Sequence, residues 1–438
     1  MMSIAVAKTE KADVAGANFA SIVASQPGAG KVADARREAF DEFQRIGLPH
    51  RRIEEWKYTD LRALMREVLP VAPTPDAAAL ARAEAAVKLH AIDGVRRLVL
   101  VDGALAVALS DLSALEAGLS IRSLREALDA GDDRLLSLDT GNPMTALNTA
   151  LMTDGVVIDI ADGAKLAKPL HIVHIASGGA PSAMFTRSLV SLGKESAATV
   201  VESFVAGEGA GVYQVHDTAV MTVGDRARLD HVRLIEDSRD AFNIASAEVR
   251  VGAHAHYSVA GVTTGALVSR YQLVVNIAGE YARVETNGVN LLNGKQHADT
   301  TLVMNHDVPH CVSREGFRAV VDDRGHSVFQ GRINVRQPAQ QTDAKMMTRA
   351  LLLSDEAEAD NKPELEIFAD DVTCGHGAAI GALDDQLLFY LRARGLAEKE
   401  AEALLIQAFV GEAIEAIADD NLRELAIAAA TRWLEARR

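Results

Sequence analysis

The sequence of 438 residues contains few of the groups from which many functional sites are built. Cysteine occurs only twice, at Cys311 and Cys374, so a disulfide framework is not expected and the chain cannot by itself supply a four-thiolate metal site. Aromatic residues make up 4%, which predicts a core of small aliphatic side chains, as in tightly stacked layers. No stretch approaches the roughly 18 apolar residues of a membrane-spanning helix.

The charge, the start of the chain and the missing motifs exclude further classes. A formal charge of -16 repels phosphate backbones, so binding to nucleic acid is not expected. The apolar run at the N-terminus ends at Lys8 and is too short for a signal peptide, which predicts a cytoplasmic protein. No Walker A loop, dinucleotide fingerprint, H-E-x-x-H, C-x-x-C or G-x-S-x-G motif is found. We therefore expect no nucleotide bound through a standard motif and no catalytic residue.

Residues 1–150 are predicted to form a mainly helical domain. The segment 33–49 places Phe40, Phe43 and Ile46 at helical spacing and then ends at a glycine and a proline. Residues 76–89 are rich in alanine, whereas residues 96–103 are typical of a strand that runs into a turn.

Residues 151–380 show short β-branched runs that alternate with Gly and Asp turns. Glycines end these runs at steps of roughly 27–31 residues: Gly163, Gly193, Gly224, Gly252 and Gly279. A unit of strand, turn, strand and return cannot bury its apolar face alone, whereas stacked units share one core. The pattern predicts a parallel β-helix, although it weakens after Gly279, where no coils are assigned. A β-sandwich needs no fixed period, and the sixfold aliphatic repeat of a left-handed hexapeptide helix is absent.

Residues 381–438 are predicted to form a C-terminal helical domain. Within 397–417, Leu404 and Phe409 belong to an apolar set that is interspersed with acidic residues at helical spacing. Such a pattern fits a helical hairpin that packs on its own domain, and it also fits a docking surface for a partner.

Histidine and cysteine supply the candidate metal ligands. His254 and His256 stand two apart in a strand-like stretch and could face one ion, although surface histidines are the simpler interpretation. His306, His310 and Cys311 lie in one loop-like stretch, but their spacing matches no standard site.

The segment 370–381 contains Cys374 and His376, which are separated by one glycine and followed by another. In an extended strand both side chains would point the same way, and both are ligands for iron or zinc. The glycines would let another chain or a ligand approach the backbone. A buried cysteine beside a hydrogen-bonded histidine is the simpler interpretation of the spacing alone.

Two long blocks resemble the SufB/SufD family of the SUF iron–sulfur cluster assembly system. IEEWKYTDLRAL (53–64) resembles the E-x-W-[KR]-Y-T-x-[LF] signature of its SufD members. NKPELEIFADDVTCGHGAAIGALDDQLLFYLRARGL (361–396) is similar to the C-terminal core block of the family, and AEALLIQAFVGE (401–412) continues the match. Length, the early block and the low cysteine count favour the SufD members over the SufB members.

The resemblance implies a right-handed parallel β-helix flanked by helical domains, in a complex of one SufB, one SufD and two SufC ATPases. It implies a non-catalytic scaffold whose C-terminal helices dock SufC, with Leu404 and Phe409 as predicted contacts. It also implies that His376, with Cys374 second, completes a site shared with SufB. An iron–sulfur cluster would be assembled there transiently, so no cofactor belongs to this chain alone. A homodimer of the isolated chain stays open, and no residue assigns a flavin.

Two other functions fit a β-helix. A carbohydrate-active lyase or hydrolase would group acids and bases on one coil face and would mostly be exported. A purely structural β-solenoid would tolerate the loss of both Cys374 and His376.

Overall fold

A computed structural model describes residues 19–134, 136 and 141–437 of the chain. In these residues the protein is mainly β, and two long sheets wind together into a solenoid of about 8 turns with helices at both ends of the chain. The predicted fold class is therefore confirmed. The apolar run before Lys8, which entered the cytoplasmic prediction, lies outside the described residues.

The helices of the described residues stand before and after the main run of strands. They are α1 (Phe19–Ser25), α2 (Lys31–Ile46), α3 (Leu61–Leu64), α4 (Ala77–Leu89), α5 (Leu124–Asp129), α6 (Pro143–Leu151), α7 (Asp385–Ala393), α8 (Glu398–Ile414) and α9 (Asp420–Ala436). No helix in this part of the chain is long and apolar enough to cross a membrane.

The strands belong alternately to two sheets. We call them the odd-numbered and the even-numbered sheet after most of their strands; the exceptions are β2, which lies in the odd-numbered sheet, and β3, which lies in the even-numbered sheet. The odd-numbered sheet contains β1 (Arg96–Val101), β2 (Ala104–Leu105), β5 (Leu170–Ala176), β7 (Ala197–Ala206), β9 (Arg228–Glu236), β11 (His256–Thr263), β13 (Arg283–Leu292), β15 (Val312–Val321), β17 (Asp343–Leu352) and β19 (Thr373–Gly381). The even-numbered sheet contains β3 (Leu119–Ser123), β4 (Val156–Ile160), β6 (Ser182–Leu192), β8 (Tyr213–Val223), β10 (Phe242–Val251), β12 (Val268–Ile277), β14 (His297–His306), β16 (His326–Val335) and β18 (Glu358–Ile367).

Each coil contributes one strand to each sheet, and every strand from β4 to β17 pairs in parallel with the strand of the next coil. The predicted glycines stand at the coil corners, since Gly193 and Gly224 follow β6 and β8 directly. A Cβ atom at Gly224 would lie 2.7 Å from the carbonyl oxygen of Leu192 in the preceding coil. The regular glycine spacing therefore reflects a close approach of backbones at the corners.

The coils continue without interruption after Gly279, where the sequence pattern weakens. Asn305 donates a side-chain hydrogen bond to Asn276 at 2.8 Å, and Asn334 donates one to Asn305 at 2.8 Å, each across a step of 29 residues. This asparagine ladder is a repeat signal that the glycine pattern misses.

Helices cover the outer faces of both sheets. The segment 53–64 lies on the even-numbered sheet. The guanidinium of Arg270 lies over the ring of Trp56, with its Cζ 3.9 Å from the ring centroid, and Thr59 Oγ1 is 2.9 Å from His297 Nε2. On the odd-numbered sheet, Ile406 of α8 and Trp433 of α9 are buried in one cluster with outward-facing residues such as Val289. β1 and β3 extend the two sheets into residues that the domain prediction assigns to the helical N-terminal unit.

Candidate site at the open end of the solenoid

The solenoid ends on two strands that pair on one side only. β18 pairs with β16 and β19 with β17, and within the described residues no strand pairs with their other edges. Both strands are long, at 10 and 9 residues. An edge of this kind presents unpaired backbone donors and acceptors to a further strand.

Exposed apolar side chains surround this end. Phe368, directly after β18, is 66% exposed, and Ile380 on β19 is 49% exposed. Ile367 and Met347, on β18 and β17, are also exposed. Several large apolar groups beside two open edges form a patch of the type that marks a surface for another protein.

Cys374 and His376 lie on β19, opposite Ala344 and Met346 of β17. Because residues two apart on a strand project from the same face, the two side chains share one side of β19. His376 is exposed, whereas Cys374 is half-buried and packs against the apolar core that the two sheets enclose, which we call the bore of the solenoid. Burial raises the pKa of the Cys374 thiol, so Cys374 is not an activated thiolate in the free chain.

The backbone beside this pair is open on one side. A Cβ atom added at Gly375 would meet nothing within 4 Å, whereas one at Gly377 would lie 2.7 Å from Cε of Met347. Gly375 thus leaves room for a second chain or ligand, while Gly377 lies beside the exposed side chain of Met347.

A buried carboxyl group lies two strands behind His376. Glu315 on β15 is opposite Met346 on β17, which is in turn opposite His376 on β19. Neither carboxyl oxygen of Glu315 has a hydrogen-bond partner, and burial raises its pKa to about 8. No sequence pattern singles out Glu315, because only the pairing register shows that it lies behind the site.

The other predicted ligand pairs are not brought together. His254 lies in a turn with positive φ and stacks on Tyr281 at 5.0 Å, whereas His256 begins β11 and lies 2.8 Å from Arg228 Nη1. The assumption that both histidines share one strand was wrong, because the coil corner ends between them.

The stretch 306–311 likewise forms no cluster. His306 is buried and its Nε2 is 3.0 Å from Ser313 Oγ, while His310 stacks on Tyr281 at 4.7 Å. The thiol of Cys311 donates to the carbonyl oxygens of Gly279 and Pro309.

The two predicted docking residues on α8 have different surroundings. Leu404 is 46% exposed, but Phe409 packs against the solenoid, with its ring 5.7 Å from the Arg318 guanidinium. More exposed apolar side chains lie on α7, which has no buried residue, at Leu387, Phe389 and Tyr390.

Comparison with known families gives two adjoining matches. Residues 22–172 match the SufBD protein N-terminal region, and residues 174–409 match the SufBD core domain of SUF system FeS cluster assembly. The chain belongs to the SufB/SufD family. Within that family it resembles the iron–sulfur cluster assembly protein SufD of Escherichia coli, with 32% identity over 401 residues that cover 90% of each chain.

Two further relatives match different shares of the chain. A SufBD family protein of Synechocystis is 32% identical over 401 residues, which cover 88% of this chain and 87% of the relative. A chloroplastic protein of Arabidopsis thaliana, ABCI7, is 31% identical over 299 residues, which cover 66% and 62%. The chain is thus a SufD-like iron–sulfur cluster assembly protein, as the two sequence blocks predicted.

Proposed function

We propose that this chain is a non-catalytic scaffold subunit that pairs with SufB and SufC, and that clusters are assembled on a site shared with SufB. The observation that carries the proposal is the open end of the solenoid, where two free strand edges, exposed apolar groups and the Cys374–His376 pair lie together. A second solenoid could add its own strands to β18 and β19 and bury Phe368 and Ile380.

The ligand chemistry supports a shared site. Cys311 is buried with its thiol bonded to backbone carbonyl groups, and Cys374 is half-buried, so the chain cannot surround a cluster alone. The exposed imidazole of His376 would bind iron or position a proton, and the thiolates would come from SufB. A reducing compartment such as the cytoplasm, our proposed location, would keep both thiols free.

Substitution of His376 tests the shared site. His376→Ala removes an exposed side chain, so the complex with SufB and SufC should form but should contain little iron or acid-labile sulfide. His254→Ala, which removes an exposed histidine from a coil corner, is the matched control and should retain both. Normal cluster content in the His376→Ala complex would limit this histidine to a structural role.

For SufC we propose docking on the helices α7–α9. Leu404 is retained as a contact, and the exposed apolar groups of α7 extend the surface. Phe409 is a poor test position, because its substitution would also disturb packing against the solenoid. Phe389→Asp should weaken capture of SufC in a pull-down, whereas Leu89→Asp, at an 81% exposed leucine that ends α4, should not. Equal capture by both variants would exclude α7 from the interface.

A further inference from the structure

A group of polar side chains interrupts the apolar bore of the solenoid around β7, which is six strands from β19 along the odd-numbered sheet. His174 on β5, Glu202 on β7 and Asp217 on β8 are each 4% exposed or less. One nitrogen or oxygen atom of each lies within 4.8 Å of the corresponding atoms of the other two. Two neighbouring strands of one sheet, β5 and β7, and β8 of the other sheet thus bring one imidazole and two carboxyl groups together.

Each of the three side chains has one ligand atom without a hydrogen-bond partner. These atoms are Nε2 of His174, Oε1 of Glu202 and Oδ2 of Asp217. A buried polar atom left without a partner costs about 1–3 kcal/mol, so three of them in one place would be expensive. A ligand that accepts all three lone pairs would remove this cost.

Hydrogen bonds hold the two carboxyl groups in place through their other oxygens. Thr186 Oγ1 donates to Asp217 Oδ1 at 2.6 Å, and His231 Nε2 is 2.9 Å from Glu202 Oε2. Each carboxyl group is therefore fixed by one oxygen while the other oxygen stays available. Outer hydrogen bonds of this kind typically orient the ligands of a metal ion.

The imidazole is fixed by stacking. The ring of His174 lies 4.3 Å from the ring of Phe204, at an interplanar angle of 13°. The stacking fixes the imidazole and leaves Nε2, which has no hydrogen-bond partner, available to a metal ion.

The charges around the three side chains are compatible with a bound cation. Arg233 donates to Glu202 Oε2 and its positive charge also acts on Asp217, so the two carboxyl groups, when both are ionised, keep one negative charge in excess of this guanidinium. Two carboxyl groups in one enclosed place repel each other when both are ionised, and a divalent ion between them would relieve this repulsion.

We propose that His174, Glu202 and Asp217 bind a divalent first-row transition-metal ion inside the solenoid, at a structural site separate from the cluster-assembly site. One imidazole and two carboxylates are a donor set for Zn²⁺ or Fe²⁺. Because the site is enclosed on all sides, the ion would enter while the coils fold and exchange slowly afterwards. This inference does not depend on the proposed function.

The test uses the full chain, unfolded with chelator and refolded with Zn²⁺, with Co²⁺ or without metal. After gel filtration and dialysis against EDTA, elemental analysis should find about one Zn²⁺ per wild-type chain. The Co²⁺ form should show visible absorption bands. Glu202→Gln and Asp217→Asn, which keep the side-chain size, should each lower retention at least tenfold, on the order of the loss for a metal-site residue.

Two matched variants serve as controls. Glu315→Gln changes another buried carboxyl group in the same bore, and His216→Gln changes another buried histidine that stacks on a phenylalanine, Phe185, at 4.7 Å. Both should retain the ion, and circular dichroism should report folding for every variant. Rapid loss of all Zn²⁺ from the wild type to EDTA would overturn the proposal even if a variant failed to fold. Equal retention in the ligand and control variants would also overturn it.

Discussion

At its N-terminal end the solenoid is closed by strands that reverse direction, whereas its C-terminal end keeps strands that run parallel to their neighbours. β2 is antiparallel to β1, and β3 is antiparallel to β4. Leu105, Leu115 and Ile121 then pack against the end of the core. At the other end, β18 and β19 continue the parallel register, and Ile380 stays exposed.

This difference shows how one repeating structure can be finished in two ways. Reversed strands and the segments that cross the end of the solenoid stop the stacking and cover the apolar end of the bore. A parallel last strand instead repeats the pattern and leaves a template for more of the same structure. Substitutions at the closed end should therefore act on the stability of the chain, whereas those at the open end should act on assembly.

The largest expected effect compares isoleucines at the two ends. Ile158→Ala on β4 removes a side chain that is fully buried and should lower the free energy of unfolding by about 2–5 kcal/mol. Ile380→Ala on β19, where the side chain is 49% exposed, should cost much less in the isolated chain. Urea denaturation measures both, and equal losses would contradict the comparison.

A second prediction concerns the bore behind the open end. Glu315 has its pKa raised by burial from 4.5 to about 8, so its contribution to stability is complete below pH 4.5 and is lost as the pH rises towards 8. Glu315→Gln cannot ionise, so the variant should gain stability relative to the wild type by at most about 1.4 kcal/mol per pH unit in that window. The measurement is urea denaturation from pH 5 to 8. Glu208→Gln, at an exposed turn, is the control, and parallel pH profiles for wild type and Glu315→Gln would refute the prediction.

The smallest effect compares the middle and the last member of the asparagine ladder. Asn305→Ala removes two side-chain hydrogen bonds, to Asn276 and from Asn334, and should cost about 1–2 kcal/mol. Asn334→Ala removes one bond, and its own carbonyl oxygen already has no partner, so the cost should be smaller. Thermal unfolding can compare the stability losses of the two variants, and an equal or larger loss for Asn334→Ala would contradict the prediction.

Much of the fold could be predicted from the sequence because local signals were strong. The β-branched runs at 156–160, 170–175 and 272–277 all lie within strands, and the predicted helix at 33–49 corresponds to α2. The family assignment also followed from two long blocks. The coils after Gly279 could not be placed, because their polar outward residues hide the period that the asparagine ladder shows.

The candidate sites depended more on long-range structure. Whether a histidine on these strands faces the bore or the outside cannot be read from alternation, since β5 is buried on both faces along its whole length. His171 and His174 look equivalent in sequence, yet only His174 joins Glu202 and Asp217.

The sequence alone determined the β-helix, its corner glycines and the Cys374–His376 pair, because each depends on neighbours in the chain or on a repeat. Only the tertiary structure decided that Phe409 packs inward, that Glu315 lies behind His376 and that three distant strands form a polar cluster in the bore. The physical reason is the register of parallel strands: it places residues from successive coils side by side, and no local pattern encodes which rows they share.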